Sequence, residues 1–139
     1  MVAYSNHKTV LMADDDPEDC MLATHAFAES GARAAFSCVL DGVELMDYLS
    51  EHSRSEGKQL PDLILLDLNM PRKDGRKAII EIKSELALKH IPIVILTTSE
   101  EEKDIDLTMK AGAESFITKP ATFDEWVLIM KSLTESWLK

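Results

Sequence analysis

Apolar residues along this chain follow two alternating patterns. Short runs of consecutive apolar residues, typical of strands buried on both faces, alternate with stretches whose apolar residues recur at helical spacing. The runs predict five strands, over residues 9–14, 34–40, 62–67, 91–97 and 114–118. The intervening stretches predict five helices, over residues 17–30, 42–50, 76–88, 100–112 and from 122 almost to the C-terminus. This alternation predicts an α/β fold in which helices cover both faces of a parallel sheet.

Residues that favour helix ends support several of these boundaries. Asp16 can cap the first helix, with Pro17 at its first position and Gly31 as its stop. The stretch "TFDE", residues 122–125, matches the capping box that opens a helix. Residues 51–61, "EHSRSEGKQLP", are polar and are predicted to form a loop.

Length, hydropathy and charge restrict the classes of protein. The 139 residues fit one domain with a substantial core. No apolar stretch approaches the ~18–20 residues needed to span a bilayer, and the N-terminus lacks the apolar region of a signal peptide. We therefore expect a cytoplasmic protein without a membrane partner. Fifteen Lys and Arg residues against 25 Asp and Glu residues give a net charge of −10, so cations and proteins are expected as partners rather than nucleic acid.

The cysteines and histidines add no predicted site. Cys20 and Cys38 each fall within a predicted regular element, and two cysteines in such a chain fit a reducing compartment without a disulfide. The four histidines lack the spacing of metal ligands, and we expect them to be surface or partly buried residues with ordinary hydrogen bonds.

Polar side chains follow four of the predicted strands. Asp14 and Asp15 end the first strand, Asp67 ends the third, Thr97 ends the fourth, and Lys119 follows the fifth. Each has an ordinary explanation alone, such as favouring a helix N-terminus or forming a turn. Because ligands of open α/β sheets bind at the carboxyl ends of the strands, we expect these five side chains to converge on one edge.

The chemistry available to such a group is specific. Clustered carboxylates repel one another, and Mg²⁺ relieves that repulsion because it prefers oxygen ligands and completes its shell with water and phosphate oxygens. A carboxylate can attack phosphorus to form an aspartyl phosphate. A lysine, a hydroxyl and the metal would then stabilise the transferring phosphoryl group.

Four stretches carry a resemblance to a known family: "MADDDPED", "LILLDLNMPRKDG", "VILTTSE" and "SFITKP". In order and spacing they resemble the receiver domains of two-component response regulators. The resemblance implies a doubly wound, flavodoxin-like (βα)5 fold with strand order 2-1-3-4-5. It also implies a single receiver domain over residues 9–139, after an N-terminal tail of residues 1–8.

The resemblance implies a role for each residue of the predicted metal site. Asp67 would be the phosphoacceptor, taking the phosphoryl group from a kinase phosphohistidine. Asp15 would bind Mg²⁺ directly, together with Asp67, and Asp14 would act on the metal mainly through water. Asn69 would offer the metal its backbone carbonyl.

It likewise implies which residues would contact and sense the phosphoryl group. Thr97 and Lys119 would each contact a phosphoryl oxygen, and Thr97 and Phe116 would form the switch. The bond between Lys119 and Pro120 would be cis, in a tight turn that aims the lysine at the site.

Because no output domain follows the last predicted helix, the output would be a protein contact, onward transfer of the phosphoryl group, or drainage of phosphate from a shared kinase. The chain most resembles small stand-alone regulators paired with bacterial phytochrome kinases, so a sensor histidine kinase, of phytochrome type in this interpretation, is the expected partner.

The fourth helix, fifth strand and fifth helix would form the signalling face and a surface for homodimerisation. In the fifth helix, Phe123, Trp126, Val127, Met130, Leu133 and Trp137 are predicted to face the core. Leu128 and Ile129 either widen that core contact or form an exposed patch.

Two other functions fit parts of the pattern. A phosphohydrolase of the haloacid dehalogenase type also uses an aspartate at a strand end, but it needs an acid two residues later, where this chain has Asn69. A degenerate receiver would bind partners without being phosphorylated. The favoured interpretation is a phosphoacceptor that catalyses only its own phosphorylation and dephosphorylation, and is not an enzyme acting on a separate substrate.

Overall fold

Strands and helices alternate along the whole of the described chain. The computed structural model describes residues 7–55 and 57–139. Its elements are β1 (Lys8–Ala13), α1 (Pro17–Glu29), β2 (Ala34–Val39), α2 (Gly42–Arg54), β3 (Leu63–Leu66), α3 (Gly75–Ser84), β4 (Ile93–Thr97), α4 (Glu102–Ala111), β5 (Ser115–Thr118) and α5 (Phe123–Trp137). The strands pair in parallel in the order β2-β1-β3-β4-β5. The predicted fold class and strand order are therefore confirmed.

The central strand β3 shows how the sheet divides the core. Its four residues are almost completely buried, which explains the unbroken apolar run. Ile64 and Leu66 pack in the layer that contains α2 and α3, whereas Leu63 and Leu65 pack in the layer that contains α1 and α5. Side chains of a strand alternate between faces, so a strand covered on both sides must be apolar at every position.

Caps fix the ends of the first and last helices as predicted. The Asp16 side chain accepts a hydrogen bond from the Glu18 N–H at 2.9 Å, and Gly31 adopts a left-handed φ of 81° after α1 ends. At α5, the Thr122 hydroxyl accepts from the Glu125 N–H at 3.2 Å and lies 3.0 Å from the Glu125 carboxylate. The bonds from the Glu18 and Glu125 N–H groups satisfy donors that the first turn of a helix leaves without partners. The Glu125 carboxylate contacts the Thr122 hydroxyl instead of the Thr122 N–H, so only half of the predicted capping box forms.

Two predicted helix ends are wrong. Helix α2 continues to Arg54, four residues beyond the predicted end at residue 50. The prediction stopped early because this last turn is polar and lacks apolar periodicity. The Arg54 side chain bonds back to Ser50 in that turn. Helix α3 ends at Ser84 rather than residue 88, and Leu88 is buried from the turn that follows. Of the predicted loop and tail, residue 56 and residues 1–6 lie outside the described residues, while Lys8 belongs to β1.

The peptide bond before Pro120 also differs from its prediction. No peptide bond among residues 7–55 and 57–139 is cis, so Lys119 and Pro120 are joined in trans. The trans form of such a bond is intrinsically favoured by about 0.5–1 kcal/mol. The lysine reaches the acidic side chains without the predicted cis bond.

The apolar stripe of α5 is narrower than predicted. Trp126, Met130 and Leu133 are buried, and Val127 and Trp137 are half-buried. Phe123 is 39% exposed and lines a shallow groove with Glu29 of α1. The prediction that Phe123 faces the core is therefore wrong.

Two further observations bear on the predictions from composition. Cys20 and Cys38 are both free, as expected. No helix in the described part of the chain combines the length and apolar character needed to cross a membrane.

Candidate functional site

Three carboxylates meet at the carboxyl edge of the sheet. Asp14 follows β1 and Asp67 follows β3, and these two strands are neighbours. The Asp67 N–H donates to the Ala13 carbonyl at 3.0 Å, which holds the two strand ends together. One oxygen from each of Asp14, Asp15 and Asp67 lies within 4.8 Å of the others. Asp14 and Asp67 are buried, whereas Asp15 is exposed.

Lys119, which directly follows the edge strand β5, brings a cation to this cluster. Its Nζ lies 2.7 Å from Asp14 Oδ2, 2.8 Å from Asp19 Oδ2 and 3.3 Å from Asp67 Oδ2. Burial alone would lower the pKa of Lys119, but the neighbouring carboxylates raise it above its ordinary value. The ammonium is therefore charged at neutral pH and partly offsets the repulsion among the acids.

The two carboxylate oxygens of Asp14 have different partners. Oδ1 accepts a hydrogen bond from the Asp16 N–H at 2.9 Å. Oδ2 lies close to the Lys119 Nζ but has no well-oriented hydrogen-bond donor among the described residues. Burial raises the pKa of Asp14 to about 6, although Lys119 and the Asp16 N–H both favour the charged form. Burying a carboxylate is costly, and a hard cation or the water bound to it would stabilise Asp14 further.

These donors fit a divalent metal. All three residues of the cluster offer carboxylate oxygens, the ligand type preferred by hard cations, and one of them is exposed enough to admit an ion from solvent. Asp14, Asp15 and Asp67 are therefore the residues that would hold it.

The other predicted residues differ in their burial and in their contacts. Thr97 is completely buried at the end of β4, and its hydroxyl accepts a long hydrogen bond of 3.5 Å from the Ser99 N–H. The Lys119 N–H donates to the Thr97 carbonyl at 2.8 Å, which joins the ends of β4 and β5. Asn69 is exposed, and its N–H lies 3.4 Å from Asp67 Oδ1. Phe116 is half-buried within β5 and packs on the core, outside the cluster.

The comparisons with known proteins agree with this geometry. A family model for the response regulator receiver domain matches residues 10–131. This chain belongs to that family. It is thus a receiver-domain response regulator of two-component signalling, and receiver domains bind a divalent metal in an acidic pocket of this kind.

Several known receiver domains are similar over almost their whole length. Response regulator Rcp1 of Synechocystis is 32% identical over 132 residues, which cover 95% of this chain and 90% of Rcp1. The crystal structure of the phosphorylated cyanobacterial phytochrome response regulator RcpA is 40% identical, with a TM-score of 0.86 over 96% of this chain and 95% of RcpA. The Mn²⁺-bound form of Rcp1 gives a TM-score of 0.83 and covers 95% of each chain.

The loop after Asp67 is held tightly in this receiver domain. A Cβ on Gly75 would collide with the Asp67 carbonyl, so only glycine allows α3 to begin this close to the strand end. Arg72 has a left-handed φ of 65°, between Pro71 and Lys73, whose carbonyl and N–H bond at 2.7 Å. Its guanidinium donates two hydrogen bonds to Asp41, at 2.9 and 3.1 Å, which offset the strain of that backbone conformation.

The basic residues of this segment are paired within the receiver domain. Arg72 contacts Asp41, and Lys73 lies 2.5 Å from Glu81. The hydrogen bond from the Glu44 N–H and the Arg72 guanidinium together hold the pKa of Asp41 below its usual range.

Asp19 is a site residue that the sequence analysis missed. It lies in the first turn of α1, and its contact with Lys119 joins residues 100 positions apart in the sequence. Its one signal was its place in the acidic stretch "DDDPED", where an acid near a helix N-terminus has an ordinary explanation.

Proposed function

We propose that Asp67 accepts a phosphoryl group from the phosphohistidine of a sensor histidine kinase. The observation that carries this proposal is the position of the Asp67 carboxylate, which lies beside the carboxylates of Asp14 and Asp15 and within 3.3 Å of the Lys119 ammonium. An oxygen of Asp67 would attack phosphorus while the phosphorus–nitrogen bond to the histidine breaks, and the histidine keeps the electron pair of that bond.

Different residues of the site would stabilise different parts of the transferring phosphoryl group. Lys119, 3.3 Å from Asp67 Oδ2, would neutralise one phosphoryl oxygen. Thr97 would donate its hydroxyl to another. Mg²⁺, held by Asp14, Asp15, Asp67 and the backbone carbonyl of Asn69, would neutralise charge that develops on the phosphoryl group. Asp14 would act on the metal mainly through water.

The proposed signal arises from the same residues. Thr97 would move toward the phosphoryl group, and Phe116 would repack into the space that Thr97 leaves. The half-buried position of Phe116 at the edge of the core supports such a change, since its ring is not enclosed on all sides. Residues 9–139 would act as one receiver domain, after a tail of residues 1–8, and would signal through protein contact.

The proposed partner is a histidine kinase of the phytochrome type in the cytoplasm. Support comes from the similarity to the phytochrome response regulator RcpA and to a response regulator in red light signalling of R. palustris, which is 32% identical with a TM-score of 0.84. The net charge of −10 disfavours direct binding of nucleic acid.

Self-association through α4, β5 and α5 is a further part of the proposal. Leu107 and Met109 of α4 are 39% and 42% exposed, and Leu128 of α5 is 64% exposed. Ile129 is half-buried, so the apolar run of α5 extends beyond one buried face. Such side chains favour contact with a second copy or another protein.

Phosphorylation with a small donor tests the main proposal. Acetyl phosphate and Mg²⁺ should label the purified protein once, as detected by mass spectrometry, and Asp67→Asn should abolish labelling because an amide cannot attack phosphorus. Asp47→Asn, an exposed acid on α2, is the matched control and should be labelled like the wild type. An unlabelled wild-type protein would favour a degenerate receiver, and sustained release of phosphate from unrelated phosphate esters would favour a phosphohydrolase.

A further inference from the structure

The start of α4 is fixed differently from the starts of the other four helices in the described chain. Those four have an Asp or Thr whose side chain accepts a hydrogen bond from the first turn, whereas Glu101 at the start of α4 makes no such bond. An acid in the first turn, Asp104, is instead only 3% exposed. Something other than a local cap therefore holds this helix in place.

An ion pair between the partly buried Arg76 and the buried Asp104 supplies that attachment. The Arg76 guanidinium donates from Nε to Asp104 Oδ1 at 2.6 Å and from Nη2 to Oδ2 at 2.8 Å. Its remaining nitrogen, Nη1, donates to Asp74 at 2.9 Å. Two-pronged contacts between arginine and a carboxylate fix both distance and orientation. Helix α4 is thus held against the first turn of α3.

Asp104 also reaches the loop after β4. The Ser99 hydroxyl donates to Asp104 Oδ2 at 2.6 Å, and the Ser99 N–H donates to the Thr97 hydroxyl. With the pair to Arg76, both oxygens of this buried carboxylate are therefore bonded.

The contacts among Arg76, Asp104 and Ser99 connect the two loops whose residues would contact the phosphoryl group. Arg76 is the second residue of α3 and follows the loop that leaves Asp67. Ser99 lies two residues after Thr97. The chain of contacts from Arg76 to Asp104 to Ser99 therefore spans from the loop of the proposed phosphoacceptor to the loop of the proposed hydroxyl donor.

We propose that Asp104 is a positioning residue for phosphoryl transfer. Held by Arg76, it fixes the Thr97 loop, through Ser99, at the distance from Asp67 that lets both residues contact one phosphoryl group. This inference rests on the proposed function. The long bond to the Thr97 hydroxyl leaves that hydroxyl free to turn toward a phosphoryl oxygen, so the loop backbone is what needs to be held.

Ser99→Ala tests the network without removing its ion pair. We expect phosphorylation of Asp67 by acetyl phosphate, at saturating Mg²⁺, to slow by about tenfold, a change comparable with the loss of one hydrogen bond. The dissociation constant for Mg²⁺ should stay within about twofold of the wild type, because the carboxylate cluster is untouched. A purely structural role would leave the phosphorylation rate unchanged.

Asp104→Asn removes the same link from its other end. It should slow phosphorylation to a similar degree, and the double variant with Ser99→Ala should be no slower than the slower single variant. Glu101→Gln is the matched control, since Glu101 lies beside the same helix start and its ion pair in the described chain is with the exposed Lys103. It should be phosphorylated at the wild-type rate.

The outcomes separate this inference from the proposed function. If folded Ser99→Ala is labelled at the wild-type rate, the positioning role of Asp104 is overturned while phosphorylation of Asp67 stands. Slowing that is matched by an equal loss of Mg²⁺ affinity would also overturn it, because the effect would then lie in the metal site. An unlabelled wild-type protein would overturn the proposed function and this inference with it.

Discussion

Lys119 Nζ lies 2.8 Å from Oδ2 of Asp19, an acid outside the three-carboxylate cluster. The ammonium is therefore shared between the cluster and a helix that packs on the opposite side of the sheet from α3. A metal whose bound water contacts Asp14 must compete with Lys119 for the same carboxylate, and Asp19 gives the lysine an alternative partner.

Asp19→Asn should weaken the binding of Mg²⁺. Without Asp19, Lys119 would interact more closely with Asp14 and Asp67, and one negative charge near the metal would be lost. We expect the dissociation constant to rise by about threefold to tenfold, the effect of one partly screened charge. Calorimetric titration measures it, with Glu18→Gln, an exposed neighbour, as the control. Tighter binding would contradict this account of Lys119.

Mg²⁺ should stabilise the folded protein. Its binding would relieve repulsion among Asp14, Asp15 and Asp67, which come together only in the folded chain. At ten times the dissociation constant, linkage predicts a gain in the free energy of unfolding of about 1.4 kcal/mol. Thermal melts with and without millimolar Mg²⁺ measure this, and Asp15→Asn should reduce the gain. Equal gains in both proteins would place the metal elsewhere.

Gly75→Ala should impair both stability and phosphorylation. The added methyl would press on the Asp67 carbonyl, so the strand end that carries the proposed phosphoacceptor must shift. Overpacking of this kind costs about 1–3 kcal/mol. Gly31→Ala is an informative control because its Cβ would meet no atom within 4 Å, although its φ of 81° makes the backbone strained. It should lose stability without slowing phosphorylation by acetyl phosphate.

The contribution of Asp104 to the free energy of unfolding should be lost at strongly acid pH. Its hydrogen bonds from Arg76 lower the pKa of Asp104 from 3.8 to about 2, against the effect of burial. Because the folded-state pKa lies below that of the unfolded chain, the stabilisation is complete above about pH 4 and is lost as the pH falls through about 2.

Asp104→Asn should accordingly lower the free energy of unfolding by about 2 kcal/mol at neutral pH, since it leaves the charge of Arg76 without its main partner. The difference from the wild type should shrink as the pH approaches 2 in urea denaturation. Asp106→Asn, an exposed acid on the same helix, should show little difference at either pH. A constant deficit across this range would contradict the lowered pKa.

Leu128→Glu should reduce self-association without affecting the phosphorylation of Asp67. Leu128 is a better residue for this test than Ile129, because Ile129 packs on the core and a charge there would also destabilise the fold. Sedimentation with and without beryllofluoride measures the effect, and Met21→Glu, an exposed position on α1, is the control. A monomeric wild-type protein under both conditions would eliminate the homodimer.

Sequence patterns predicted the sheet and the convergence of its polar residues because both follow from local rules. Apolar runs identify buried strands, and parallel strands bring their carboxyl ends to one edge, which places Asp14 and Asp67 side by side. The last turn of α2 was missed because an exposed polar turn has no apolar periodicity to detect. Asp19 and the pair of Arg76 with Asp104 were missed because they join residues far apart in sequence through single contacts, which no spacing predicts.

The internal pairing of Arg72, Lys73 and Arg76 has a consequence for how fast a partner can find this domain. Each of these cations faces an acid of its own chain, so the segment beside Asp67 adds little attraction for an incoming anion. With a net charge of −10, the domain as a whole repels acidic surfaces at long range. Encounter with an acidic donor should therefore accelerate as added salt screens that repulsion, whereas encounter with a basic donor surface should slow.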